Sequence, residues 1–286
     1  MTFRTDLAVE KMEEVGQQTS GITSEESSFG HVKISRIHVH SKEGAEAIDR
    51  PMGTYVTVEV PPFSDEIGGE DIVTAIRREL RELLDEDGTV LVVGLGNTAI
   101  TPDALGPRTA SKILATRHIT GEIAKSAGLD DLRGVAVLAP GVLGQTGIET
   151  GEIICGVVSR VKPSALIVID ALASRRLSRL GCTVQMSDTG IAPGSGVGNA
   201  RMRITKDSIG VPVISIGVPT VVDAVTLAND LTGHDCRDDV EPRGARMIVT
   251  PQEIDLLIDR AASTVAQAIN CALQPHIDPD ILMALV

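Results

Sequence analysis

The chain has 286 residues, 42% of them hydrophobic, and its 39 acidic against 26 basic side chains give a formal charge of −13. That length and balance suit a globular fold with a full apolar core and no need of disulfide staples. Three Phe, one Tyr and no Trp leave no stacking platform for single-stranded nucleic acid, and the acidic excess disfavours a phosphate-binding surface, so nucleic acid is not an expected ligand. The uncharged run Ser208 to Val222, fifteen residues, is broken by Pro212 and Pro219 and is too short to span a membrane. No apolar stretch near Met1 has the character of a secretory signal. Cys155, Cys182, Cys236 and Cys271 lie far apart without zinc-type spacing, which fits reduced thiols in a cytoplasmic protein.

In chain order, Glu10 to Phe29 is polar and rich in Glu, Gln, Ser and Thr, so it is expected to be a weakly structured arm. Val32 to His40 and Tyr55 to Val60 alternate apolar and polar residues and predict half-buried strands paired as an antiparallel edge. Ile72, Val73, Ile76, Leu80, Leu83 and Leu84 share one helical face, with Gly88 as the stop. Thr89–Val93, Val135–Leu138, Leu166–Ile169 and Val213–Ile216 are short continuous apolar runs, the pattern of strands buried on both faces. Helical patterns are placed at Leu105–His118, Ala171–Leu180 and Pro219–Asp230. A last helix is expected to open on an N-cap, Pro at N1 and capping box at Thr250-Pro-Gln-Glu253 and to run to Leu273. The expected fold class is therefore α/β: a mostly parallel sheet with helices on both faces and an N-terminal extension with edge strands.

Ligands of open α/β sheets sit beyond the carboxyl ends of the strands. Asp103 follows the Thr89–Val93 run across a loop, and Asp170 follows Leu166–Ile169 directly. On parallel strands they share one rim, where two neighbouring carboxylates share a proton, activate water and protonate a leaving amine. The competing reading is that each aspartate caps the helix after it. Asp188-Thr-Gly190 matches the pepsin-type tripeptide but occurs once, in an α/β pattern. Gly94-Leu-Gly96-Asn97 and Gly194-Ser-Gly196-Val-Gly198-Asn199 do not complete a dinucleotide fingerprint, and no P-loop is present. His38 and His40 share a strand face with no matching carboxylates, and His118 reads as a charge at a helix C-terminus. No Gly-x-Ser-x-Gly elbow exists. No metal site and no cofactor are expected.

Several longer blocks, in order along the chain, carry a family resemblance. Arg4-Thr-Asp-Leu-Ala-Val-Glu10, Thr101-Pro-Asp-Ala-Leu-Gly-Pro107, Ala139-Pro-Gly-Val-Leu-Gly144, Gly147-Ile-Glu-Thr150, Ile169-Asp-Ala-Leu-Ala173, Ser187-Asp-Thr-Gly-Ile191, Pro193-Gly-Ser-Gly-Val-Gly-Asn199 and Gly217-Val-Pro-Thr-Val-Val-Asp-Ala224 resemble the germination proteases of spore-forming bacteria. The resemblance implies an endopeptidase that initiates degradation of small acid-soluble spore proteins during germination. It also implies a zymogen, a homotetramer, aspartic chemistry on a non-pepsin fold, and residence in the cytoplasm of the forespore or the spore core. The family's two catalytic aspartates carry over to Asp103 and Asp170.

Family substrates are cut after an acid in sequences like Thr-Glu-Phe/Ile-Ala-Ser-Glu, and Thr5-Asp6-Leu7-Ala8-Val9-Glu10 has that order. The resemblance thus implies self-processing between Asp6 and Leu7, with residues 1–6 as propeptide and 7–286 as a single α/β peptidase domain. Arg175, Arg201 and Arg203 are candidates to hold the acidic side chain before the cut. Val92-Val-Gly-Leu-Gly-Asn97, Asp103 and Gly106 are also similar to hydrogenase-maturation endopeptidases, which use nickel carried on their substrate. That leaves a metal-linked peptidase as an alternative, beside a nucleotide or small-molecule hydrolase and a non-catalytic module that captures spore proteins.

Overall fold

The computed structural model describes residues 4–16, 19–65, 69–84, 87–119, 125, 131–194, 201–236, 240 and 247–284. Its strands are β1 (Ile22–Phe29), β2 (Val32–Val39), β3 (Gly53–Glu59), β4 (Val90–Gly94), β5 (Val135–Leu138), β6 (Ala165–Ala173), β7 (Thr183–Ser187), β8 (Val213–Asp223) and β9 (Ile248–Val249). The helices that shape the site are α1 (Ala8–Val15), α2 (Lys42–Ile48), α3 (Glu70–Leu83), α4 (Leu105–Ala110), α5 (Thr150–Val161) and α6 (Ile254–Leu273). All nine strands form one sheet in the order β1-β2-β3-β7-β8-β6-β4-β5, with β9 on β8. Strands β8, β6, β4 and β5 are mutually parallel, and every other pairing is antiparallel.

The parallel strands are mainly apolar because helices cover both faces, with Asp170 of β6 the charged exception inside a strand. On one face Val90, Val92, Ile167, Ile169, Ile214 and Ile216 pack under α3, α4 and α6. On the other, Leu91, Val93, Leu166 and Val168 pack under α5 and the segment around Ile204 and Ile209. A separate cluster joins α1 and α2 to β2 and β3 through Ala8, Met12, Ile37, Val39, Ile48 and Tyr55. The mixed α/β architecture and the antiparallel N-terminal extension match the fold class read from the pattern.

Several local expectations are corrected. The described residues of the 10–29 stretch, 10–16 and 19–29, are not a loose arm: α1 is anchored by buried Glu10, Met12 and Ala8, and β1 pairs with β2 along its whole length. The polarity of β1 marks an edge strand whose outer side chains face water, and charged edges of this kind deter pairing with a second molecule. Ala171–Leu180 is not a helix, since β6 runs on to Ala173 paired with β8, with a register shift between Leu172 and Ala173, and a single 3₁₀ turn follows at Leu177–Arg179. The predicted Pro219 helix starts only after Asp223, whose carboxylate accepts from Thr226 N at 3.0 Å.

The helix from Leu105 stops at Ala110 rather than His118, because Asn270 takes the Leu114 N–H and Val135 those of Thr116 and Arg117. His118 lies in a turn. Helix α3 ends at Leu83, before Gly88. Helix α6 reaches Leu273 as expected, but its N-cap is Glu253 with no side-chain cap, and Thr250 Oγ1 donates instead to Thr220 O at 2.8 Å. Strand β7 and helix α5 have no counterpart in the sequence reading.

Candidate active site

The loop after β4 folds back tightly on the turn that carries Asp103. Gly96 has φ +116°, and a Cβ there would lie 2.0 Å from Asp103 O. A Cβ on Gly106 would lie 2.2 Å from Leu95 O. The glycines of Gly94-Leu-Gly96-Asn97 thus serve this close backbone approach, which only glycine permits. Asn97 N donates to Asp103 Oδ2 at 2.9 Å, and Thr220 Oγ1 donates to Pro102 O at 2.8 Å, so the turn is tied to both β4 and β8. Leu95 N donates to Ile169 O, which brings the loop against β6 one residue before Asp170.

Asp170 lies inside β6, opposite Gly217 of β8, rather than just past the strand end. It is 6% exposed, and its Oδ1 accepts from Ala171 N at 2.9 Å. Burial pushes its carboxyl well above the ordinary range, and the charges of Asp103 and Asp6 push it further. Burial also raises Asp103, against the Asn97 N–H that favours its ionised form. Neither aspartate caps a helix through its side chain. Both face a cavity of about 270 Å³, with Asp6 completing the acidic wall. Two carboxyls with raised pKa values in one cleft are the arrangement expected of a proton-sharing pair.

Asp6 arrives on the N-terminal segment, which docks along the end of β6. Asp6 N donates to Ala173 O at 2.8 Å, and Ala173 N donates to Asp6 Oδ2 at 2.9 Å. Arg50 Nη2 donates to Thr5 O at 2.6 Å. Gln185 Nε2 donates to Asp6 O at 3.0 Å, and Ala8 N donates to Gln185 Oε1 at 2.6 Å. Leu7, the other residue of the predicted processing pair, is fully buried. Further along, Glu10 is 1% exposed and accepts from Arg175 N at 2.7 Å and Arg176 N at 2.9 Å, with the Thr5 hydroxyl beside it. A second cavity, of about 240 Å³, shares Asp6, Asp170, Leu172 and Gly194 with the first and adds Arg50, Gln185, Ser187 and Arg203.

The three candidate arginines are spread apart. Arg201 lines the dyad cavity, with Nη1 4.0 Å from Glu149, and Arg203 lines the second cavity. Arg175 pairs with Glu14 at 3.2 Å and Asp230 at 3.5 Å and lines neither. Asp188 accepts from Thr54 N at 2.8 Å, which fixes the start of β3. His38 Nδ1 lies 3.2 Å from Thr54 Oγ1. Among the described residues no three His, Cys, Asp or Glu side chains are grouped to hold a metal ion. None of the described helices is long and apolar enough to cross a membrane. Most of the glycine-rich stretch Gly194–Asn199 lies outside the described residues.

Reading the sequence missed Gln185 and Arg50, as well as the docking of Asp6 against Asp170. The substrate-like order of Thr5–Glu10 was the available signal, since a segment that mimics the substrate belongs in the cleft.

Comparison with known proteins identifies the family of the chain. The germination protease of Caldanaerobacter subterraneus subsp. tengcongensis is 44% identical, with 96% of this chain and 94% of the relative covered. That of Clostridium perfringens strain SM101 is 40% identical over 96% of this chain and 95% of its own. That of Bacillus pumilus is 35% identical over 97% and 95%. A solved structure, the NiFe hydrogenase maturation protease HycI of Thermococcus kodakarensis KOD1, is similar at 18% identity and TM-score 0.40 across 68% of this chain and 98% of its own. The family model described as germination protease matches residues 4–236. By that match and these relatives, the chain belongs to the germination protease family and is an endopeptidase.

Proposed function

We propose that this endopeptidase opens the degradation of small acid-soluble spore proteins at germination, using Asp103 and Asp170 as an aspartic pair. The observation that carries the reading is the shared cavity, which two carboxyls raised by burial line together with Asp6 of a substrate-like segment. Asp170, the more buried and flanked by two like charges, retains the shared proton, while Asp103 is the base. Asp103 takes a proton from water as the water oxygen attacks the scissile carbonyl. Asp170 donates to the carbonyl oxygen, giving a tetrahedral diol. Collapse of the diol returns a proton to Asp170, and the proton held by Asp103 goes to the leaving amine. This is general acid–base chemistry without a covalent intermediate.

The reading extends to residues 1–6 as a propeptide removed by a cut between Asp6 and Leu7, leaving 7–286 as the peptidase domain. It also extends to a homotetramer working in the spore core, with one of Arg201 and Arg203, both on cavity walls, holding the acidic side chain before the cut. The test is digestion of a purified small acid-soluble spore protein by a chain starting at Leu7, with product termini read by mass spectrometry. Cuts after Glu or Asp that disappear in both D103N and D170N are expected. Full activity in either variant removes that residue from the mechanism.

A further inference from the structure

We infer that Gln185 is a second hydrogen-bond donor to the scissile carbonyl, beside Asp170, and that its contact with Asp6 O is this role on the chain's own Asp6–Leu7 bond. The inference rests on the processing reading given above. Gln185 projects from β7, where its neighbours across the ladder are Thr57 and Gly217. It is 8% exposed, so its amide meets protein rather than bulk water. A primary amide carries a donor end and an acceptor end, and here the partners fix which is which. Asp6 O can only accept and Ala8 N can only donate, so Nε2 faces the carbonyl and Oε1 the amide N–H.

The two contacts flank Leu7 and engage the two consecutive peptide groups on either side of it. One holds the carbonyl of Asp6, whose oxygen gains negative charge when water attacks the Asp6–Leu7 bond. The other holds the N–H of Ala8, one residue beyond the leaving amine. Both touch backbone, so the same clamp fits any sequence laid there. Arg50 on Thr5 O and the Ala173 ladder on Asp6 hold the preceding side. A pre-placed donor at a developing oxyanion strengthens in the transition state without any reorganisation. Side chains elsewhere then select the residues flanking the cut.

The full-length protein tests this by intact mass, following loss of residues 1–6 as a first-order process. Q185E keeps the shape and the acceptor toward Ala8 N but turns the donor end into a second acceptor facing Asp6 O. Its processing constant is expected to fall about 10²–10³-fold at neutral pH. The charged groups that line the same cavity are Asp6, Asp49, Arg50, Asp170 and Arg203. They are present in wild type and variant alike, so the ratio of the two rates isolates the new carboxyl. Protonated, that carboxyl donates again, and the ratio of Q185E to wild type is expected to recover as pH falls. Q185M, which has neither donor nor acceptor, is expected to be slow with a ratio flat in pH.

A structural role alone would lower the melting temperature of both variants and leave the Q185E ratio flat. That result overturns the inference, as does Q185E processing at the wild-type rate. If Q185E does not fold, wild-type processing by Q185M overturns it equally, and a 10²-fold loss in folded Q185M supports it. A wild-type chain that never loses residues 1–6 removes the processing reading and this inference with it. A wild-type chain that processes while Q185E keeps pace removes this inference alone.

Discussion

Asp170 and Glu10 are both nearly sealed from solvent, at 6% and 1% exposure, and burial raises the pKa of each. Their surroundings are opposite. Glu10 accepts two consecutive backbone N–H bonds, lies beside the Thr5 hydroxyl and has the Arg179 guanidinium 3.9 Å away, all of which favour its charged form. Asp170 accepts one N–H and otherwise faces the carboxylates of Asp103 and Asp6, which oppose its ionisation. A buried charge supplied with donors is an anchor, whereas one supplied with like charges keeps a proton ready for transfer. The difference separates the part of the N-terminal segment that holds α1 in place from the part that lies in the cleft.

The largest break in that comparison is on the dyad side. D103N and D170N are each expected to lower kcat for an acidic peptide by about 10²–10⁴-fold, since each removes one partner of the proposed acid–base pair. The double variant is expected to lose little more than the worse single variant, because groups that act as a unit are strongly non-additive. Steady-state kinetics on all three checks this. Losses that multiply in the double variant would mean that the two aspartates act independently.

On the anchor side the readout is stability. E10A leaves the Arg175 and Arg176 N–H groups without their carboxylate and is expected to destabilise the fold by about 2–5 kcal/mol. E10Q keeps an acceptor in place and is expected to cost about 1 kcal/mol or less. Urea unfolding of both variants measures the gap. Equal midpoints for E10A and wild type would show that α1 is not coupled to the global transition.

How much of this was legible in the amino-acid order follows the same division. Val90–Val93, Leu166–Ile169 and Val213–Ile216 announce themselves because a strand buried on both faces has to be apolar throughout. With those strands placed, the strand-end rule leads to Asp103 and Asp170, and the structure sets both on one cavity wall. The anchor was opaque because the partners of Glu10 are main-chain groups more than 160 residues away, and backbone donors leave no trace in composition. Ala171–Ala173 looked helical from its Ala and Leu content. Pairing with β8 on one side and with Asp6 on the other overrides that propensity. Gln185 sits in a five-residue strand, Thr183–Ser187, too short and too mixed to show a period.

The smallest expected effect is a gain: losing the proposed catalytic carboxyl of Asp170 stabilises the protein. The folded-state pKa of Asp170 is raised, so between the ordinary aspartate range and that raised value the folded protein binds more protons than the unfolded chain. Stability contributed by the group is therefore complete below the ordinary range and is lost as pH rises toward the folded value. At neutral pH the folded wild type holds on Asp170 a proton that the unfolded chain releases, a cost that D170N does not carry. D170N is expected to melt a few degrees higher at pH 7, at about 2–4 °C for each kcal/mol in a chain of this size, with the advantage shrinking as the buffer is acidified. Glu10 has a raised pKa as well, so its own stability contribution falls with rising pH in the same sense, but it is present in both proteins and cancels in the difference. A D170N advantage that stays constant from acid to neutral pH would point to packing, and a D170N chain less stable at pH 7 would mean that the Asp170 carboxylate is an anchor after all.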